Sequence, residues 1–178
     1  MRRAILTAVC ALVVAGAAVA EDKKGTSVEL AGMKSTTPAT WKEETPSSNM
    51  RMAQFKLPKA EGDKDDAELA VFVFPGGSGS VKDNLARQLG KFLEEGRKEK
   101  VDKLTVGTIE AAYQDVTGTF KKKPFPMAEK FTPVEGYRQL YVVFEAKDGK
   151  QYYLTLLGPT KTVEAQKKGF EEFLKNFK

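Results

Sequence analysis

The segment Gly76-Gly77-Ser78-Gly79-Ser80 carries the residue types best suited to binding an anion. It lies between a predicted strand and a predicted helix, where backbone N–H groups can point outward, and Lys82 adds a positive charge. A P-loop ends in Gly-Lys-Ser/Thr, and this segment does not. It also differs from a dinucleotide-binding loop, because Lys82 stands where that loop has its last glycine. We therefore expect either an anion site formed by Gly76, Gly77, Gly79, Ser80 and Lys82 or an ordinary strand-to-helix turn.

A second candidate segment, Lys121-Lys122-Lys123-Pro124-Phe125, combines positive charge with an aromatic ring. Because each lysine near an anionic surface contributes about 1 kcal/mol, Lys121, Lys122, Lys123 and Phe125 are candidates for contact with such a surface or polymer. A solvated charged loop is the alternative. Trp41, in a segment rich in Thr, Ser and Pro, is a candidate surface for stacking a ligand, with a core position as its alternative.

The composition excludes most familiar catalytic chemistry. The chain has no histidine and one cysteine, Cys10, so it has no Ser-His-Asp triad and no metal site built from His and Cys. The carboxylates between Glu61 and Glu68 lack calcium-loop spacing, since Glu68 stands where that loop needs glycine. Two carboxylates alone can hydrolyse a glycoside, but no spacing here pairs them. We predict no metal, no other cofactor and no catalysis, with a carboxylate-based hydrolase as a minor alternative.

Residues 1–20 have the pattern of a secretory signal peptide. Two arginines precede an uncharged apolar run, and Ala18-Val19-Ala20 is a small-x-small cleavage pattern. A membrane anchor from Ala4 to Ala20 is the alternative. We expect export to the periplasm or the extracellular space, with no integral membrane span after cleavage.

The net charge and the predicted export indicate which class of partner the protein binds. The formal net charge is +5, and most of the positive charge is lysine, which binds phosphates and bases less specifically than arginine. Export also removes nucleic acid as a partner. We expect another envelope or secreted protein as the partner, with an anionic ligand or surface as the alternative.

The predicted elements form one domain over residues 27–178, after a flexible leader at residues 21–26. We expect helices from Ser80 to Gly96 and from Thr162 onward, because apolar side chains recur there on one helical face. Residues 35–48 and 97–103 are expected to be irregular, the second as a charged linker. Predicted strands cover Ser27–Met33, Met50–Leu57, Glu68–Phe74, Thr105–Phe120, Tyr137–Ala146 and Gln151–Leu157.

These elements follow the order βββ-α-βββ-α. Hairpin signals such as Asp148-Gly149 favour a largely antiparallel sheet. The predicted fold class is therefore α+β: a sheet of about six strands flanked by two amphipathic helices, in an α/β sandwich.

Several segments of the chain resemble the PsbP-like superfamily. They are Trp41, residues 47–58, residues 67–71, Asn84-Leu85, Phe92, residues 157–159, Thr162-Val163 and Phe170. That superfamily includes the extrinsic PsbP proteins of photosystem II, the Mog-type Ran-binding proteins and many secreted bacterial proteins, which this chain resembles most. The resemblance implies an antiparallel sheet between helices and carries no site residue over.

Together these observations predict a secreted, non-catalytic binding or accessory protein. The alternative is an anion- or glycan-binding module that uses the Gly76–Ser80 loop or the Lys121–Lys123 loop.

Overall fold

The computed structural model describes residues 24–76, 78–125 and 127–178. The predicted signal peptide and the first residues of the predicted leader lie outside this part of the chain. Within it, nine strands and two helices form. They are β1 (Ser27–Leu30), β2 (Met33–Thr36), β3 (Lys42–Glu44), β4 (Arg51–Leu57), β5 (Ala67–Pro75), α1 (Val81–Leu89), β6 (Lys98–Val106), β7 (Ile109–Lys122), β8 (Thr132–Glu145), β9 (Lys150–Pro159) and α2 (Thr160–Lys175).

Seven of the strands form one sheet in the order β3-β4-β5-β9-β8-β7-β6, and β1 and β2 form a separate hairpin. Every neighbouring pair is antiparallel. The predicted α+β class and antiparallel sheet are confirmed, although the sheet has seven strands rather than six.

Helix α2 covers one face of the sheet and forms the main core with it. Its residues Val163, Phe170, Phe173 and Leu174 are buried against alternate side chains of the central strands, such as Leu154 and Leu156 of β9. Alternate strand residues point to the same face, so one helix can seal a continuous apolar layer. This layer fixes the positions of the loops at both ends of the sheet.

Helix α1 covers part of the opposite face and differs from its prediction. It ends at Leu89, and its buried residues are Asn84 and Gln88 rather than the expected apolar stripe. The sheet beneath it is polar only in part: Gln114 and Gln139 are fully buried there, whereas Leu85 of the helix packs against a second apolar cluster on the sheet. Gln139 Nε2 donates to Gln88 Oε1 at 3.3 Å. Gln88 therefore meets a matching amide on the sheet, whereas the Asn84 amide donates to carbonyls of the loop before the helix.

Two segments expected to be irregular contain strands. Residues 35–48 include the end of β2 and all of β3. The predicted charged linker at residues 97–103 is largely strand β6, which pairs with β7 through a turn at Gly107. Both faces of β6 are largely exposed, so its sequence is mostly charged. It lacks the alternation of apolar and polar residues by which a strand is predicted. The predicted first strand, in turn, is broken by Ala31 and Gly32, whose φ angles of 53° and 76° suit a tight hairpin turn.

Candidate functional site

The Gly-rich loop before α1 is held by side chains of the protein itself. The Ser78 N–H donates to Tyr153 Oη at 3.1 Å, and Arg87 Nη2 donates to the Ser78 carbonyl at 3.3 Å. Asn84 Nδ2 donates to the carbonyl of Ser80 at 3.0 Å. Gly77 lies outside the described residues. The donors of Ser78, Asn84 and Arg87 that could face an anion here are therefore already bonded within the protein.

The N-terminus of α1 is capped from within the chain. The Asp83 N–H donates to Ser80 Oγ at 3.1 Å, and Ser80 Oγ donates in turn to the Asp83 carboxylate at 2.6 Å. Asp83 places a negative charge where a bound anion would lie, although Gly76, Gly79 and Lys82 are exposed at the surface. Anion binding at this loop stays a prediction.

Replacing Ser80 with alanine is expected to lower the free energy of unfolding by about 1 kcal/mol, because it removes the acceptor for the Asp83 N–H. Urea denaturation followed by far-ultraviolet circular dichroism measures the change. Ser80→Thr, which keeps a hydroxyl that can accept from the Asp83 N–H and donate to the Asp83 carboxylate, is the control. An unchanged stability in Ser80→Ala would show that the cap contributes nothing.

The acidic segment between Glu61 and Glu68 has structural contacts. Asp63 Oδ2 accepts hydrogen bonds from the N–H and the hydroxyl of Thr162, at 2.9 and 2.6 Å, and so caps the first turn of α2. Asp66 accepts from the Lys59 N–H at 2.8 Å. Among the described residues, no group of three or more Asp, Glu or Cys side chains is placed to hold a metal ion.

The segment from Lys121 to Phe131, which we call the Lys–Phe loop, consists of the last two residues of β7 and the connection to β8, and it exposes large apolar side chains. Phe125 is 61% exposed, Met127 87% and Phe131 42%. Lys122 and Lys123 are exposed beside them. An apolar side chain in water is unfavourable unless it has a partner, so this loop is the strongest candidate for a contact surface.

The base of the Lys–Phe loop is anchored to the fold. The Ala128 N–H donates to the Phe125 carbonyl at 3.0 Å, and Ala128 is buried. Lys121 Nζ donates to the Gly90 carbonyl, at the end of α1, at 2.9 Å. Lys121 therefore holds the loop to the protein, and the exposed residues beyond it are free to contact a partner.

Trp41 lies in the core, away from this loop. It is 4% exposed, its Nε1–H donates to Gln166 Oε1 at 3.0 Å, and its ring meets Phe173 edge-on at 5.8 Å. Of its two expected positions, the structure places it in the core.

Lys91, which follows α1, feels the positive charges of Arg51 and Arg87, an influence that the sequence analysis did not predict. The side chain of Lys91 reaches solvent, yet surrounding protein atoms desolvate its amine, and Arg51 and Arg87 lie near it. These influences, desolvation first, lower the pKa of Lys91 to about 8. Arg51 is also paired with Glu68 at 2.8 Å. No sequence motif predicts this influence, because Arg51 lies in β4, far along the chain from Arg87 and Lys91.

Neither α1 nor α2 has the length and hydrophobicity needed to cross a bilayer. No protein-family model matches the sequence, and no curated protein matches it.

Solved structures do resemble this one. Cyanobacterial PsbP (CyanoP) from Synechocystis sp. PCC 6803 is 13% identical with a TM-score of 0.54, and the match covers 93% of this chain and 98% of that one. LpqN of Mycobacterium tuberculosis, described as involved in cell envelope biogenesis, is 12% identical with a TM-score of 0.51, and the match covers 88% and 86% of the two chains. Likeness at this level of identity concerns the fold alone: this chain has the PsbP-like fold that its sequence implied.

Proposed function

We propose that this protein is an exported accessory protein that attaches, without catalysing a reaction, to an anionic lipid surface through the Lys–Phe loop. The observation that carries the proposal is the exposure of Phe125, Met127 and Phe131 beside Lys122 and Lys123. Export rests on the signal-peptide pattern of residues 1–20.

The energies favour a lipid surface. Transfer of a Phe or Met side chain from water to an apolar environment contributes about 1.5–3 kcal/mol, and each lysine near anionic headgroups adds about 1 kcal/mol. These exposed apolar and charged groups all lie within one short segment. Such a segment suits insertion at the headgroup boundary, whereas a protein partner usually needs a broad, complementary surface.

The fold is compatible with this role. Among solved structures with the same fold, LpqN is described as involved in cell envelope biogenesis, a setting in which lipid surfaces are present. In this chain the seven-stranded sheet and α2 form the main core, and the Lys–Phe loop connects two strands of that sheet.

The test is co-sedimentation of the processed chain, residues 21–178, with vesicles. We expect binding to phosphatidylcholine vesicles that contain phosphatidylglycerol and little binding to phosphatidylcholine alone. Lys122→Glu with Lys123→Glu should weaken binding at least thirtyfold, since the loss of about 1 kcal/mol from each lysine multiplies to about that factor. Phe125→Ser with Met127→Ser should weaken the binding that persists at high salt, where charge attraction is screened.

The matched control is Lys147→Glu with Lys161→Glu, because both lysines are exposed on other parts of the surface and the net charge changes equally. This variant should bind nearly as the wild type does. Equal loss in both charge variants would contradict a specific role for the loop. Absence of wild-type binding to the anionic vesicles would contradict the lipid proposal itself, and loop-dependent capture of a protein instead would assign the loop to a protein partner.

A further inference from the structure

Strand β6 (Lys98–Val106) is the last strand of the sheet, and one of its edges faces solvent. It pairs with β7 along its whole length, and no other strand among the described residues pairs with its outer edge. All but two of its nine residues are exposed. Such an edge presents unpaired N–H and C=O groups that can bond to another strand.

The charges along this edge are self-complementary. If a second copy approaches antiparallel with Val101 opposite Val101, then Lys100 of each copy lies opposite Asp102 of the other. In the same register, Glu99 of each copy lies opposite Lys103 of the other. Opposite charges that face each other directly across strands stabilise the pairing. Val101, which is 49% exposed, then packs against its own copy.

Neighbouring registers are unfavourable. The two copies are related by a two-fold axis perpendicular to the sheet, which keeps each side chain on its own face of the sheet. Each allowed register is therefore centred on one residue, which lies opposite its own copy. Centring on Lys100 places two lysines opposite each other, and centring on Asp102 places two aspartates opposite each other. Like charges at that distance repel. Of these three registers, only the Val101-centred one removes the charge conflict that lysines usually impose on an edge strand.

The side chains concerned are free to rearrange. Lys100 Nζ lies 2.5 Å from Asp102 in the same chain, and Lys103 Nζ lies 2.7 Å from Glu110. These pairs are exposed to solvent, and exposed pairs contribute little. We propose that two copies of this protein join through β6 in the Val101-centred register, so that their sheets form one continuous antiparallel sheet.

A disulfide tests the register directly. In a Cys10→Ser background, Val101→Cys should form a covalent dimer under mild oxidation. Residues directly opposite in an antiparallel pair have Cα atoms about 4.5–5.5 Å apart, and a disulfide spans about 4.4–6.8 Å. Thr105→Cys, which is exposed on the same strand, is the control. In the proposed register it lies about 27 Å from its copy, counted at about 3.4 Å per residue, and should remain monomeric.

Charge variants provide an independent test by sedimentation. Lys100→Glu with Lys103→Glu makes the edge acidic, and Glu99→Lys with Asp102→Lys makes it basic. Each variant alone should sediment near the 19.6 kDa of one chain, because like charges then face each other. An equal mixture should recover the dimer, because every charged pair is again opposite.

Either of two results would overturn the proposal. One is equal crosslinking of Val101→Cys and Thr105→Cys. The other is a mixture of acidic and basic variants that remains monomeric at concentrations where the wild type is dimeric. A wild type that is monomeric at every concentration, with no crosslinking of Val101→Cys, would also exclude the dimer.

Discussion

Trp41→Ala is expected to lower the free energy of unfolding by about 3–5 kcal/mol. The indole is 4% exposed, packs edge-on against Phe173 at 5.8 Å, and bonds Gln166 at 3.0 Å. Alanine would leave a cavity between the chain segment before β3 and helix α2, and the side chain of Gln166 would lose its donor. Denaturant unfolding followed by circular dichroism measures the change.

Trp41→Phe is the matched control. It keeps most of the apolar volume and loses the hydrogen bond to Gln166, so it should cost clearly less than alanine does. A loss below about 1 kcal/mol in Trp41→Ala would contradict the core position, because core truncations of this size rarely cost so little.

Arg138→Met is expected to lower the free energy of unfolding by about 3–5 kcal/mol, because it leaves a partly buried carboxylate without its partner. Arg138 Nη2 donates to Asp115 at 2.6 Å, and the two side chains are only 12% and 18% exposed. Arg138 also bonds Glu164 of α2. Its hydrogen bond with Asp115 is the main influence that raises the pKa of Arg138 above its usual range.

Two further variants separate the buried pair from an ordinary ion pair. Lys34→Met breaks the exposed pair with Glu29, at 3.4 Å with both side chains more than half exposed, and should cost less than about 1 kcal/mol. Adding Asp115→Asn to Arg138→Met should recover part of the loss, since it removes the stranded charge. Equal effects of Arg138→Met and Lys34→Met would show that burial of the pair is unimportant.

The sequence predicted most of the sheet because its central strands are strongly patterned. Residues 68–74 form a nearly continuous apolar run and lie in β5 as expected. Asp148-Gly149 predicts a hairpin and lies directly before β9. The prediction of β6 as a linker was wrong, because a strand at the edge of a sheet needs no apolar face. Helix α1 was predicted too long, since its apolar spacing continues past Leu89 into a turn that buries Phe92.

The candidate sites divided in the same way. The local pattern of lysines and Phe125 identified the Lys–Phe loop, but only the fold shows that Lys121 is tied to the end of α1 while Phe125 and Met127 remain exposed. The sequence did not predict that Asp63 bonds the first turn of α2 at Thr162. The two residues are far apart in the chain and meet only because distant strands pair.

The sequence by itself determined the fold class and the antiparallel pairing. It also excluded the catalytic and metal chemistry that needs histidine or several cysteines. These conclusions depend only on composition and on periodicities within a few residues. Only the tertiary structure decided which of two plausible environments each candidate residue occupies. In the tertiary structure Trp41 is buried and Phe125 is exposed. The outer edge of β6 pairs with no other strand in the described part of the chain. The physical reason is that burial depends on contacts between segments far apart in the chain, which no local pattern records.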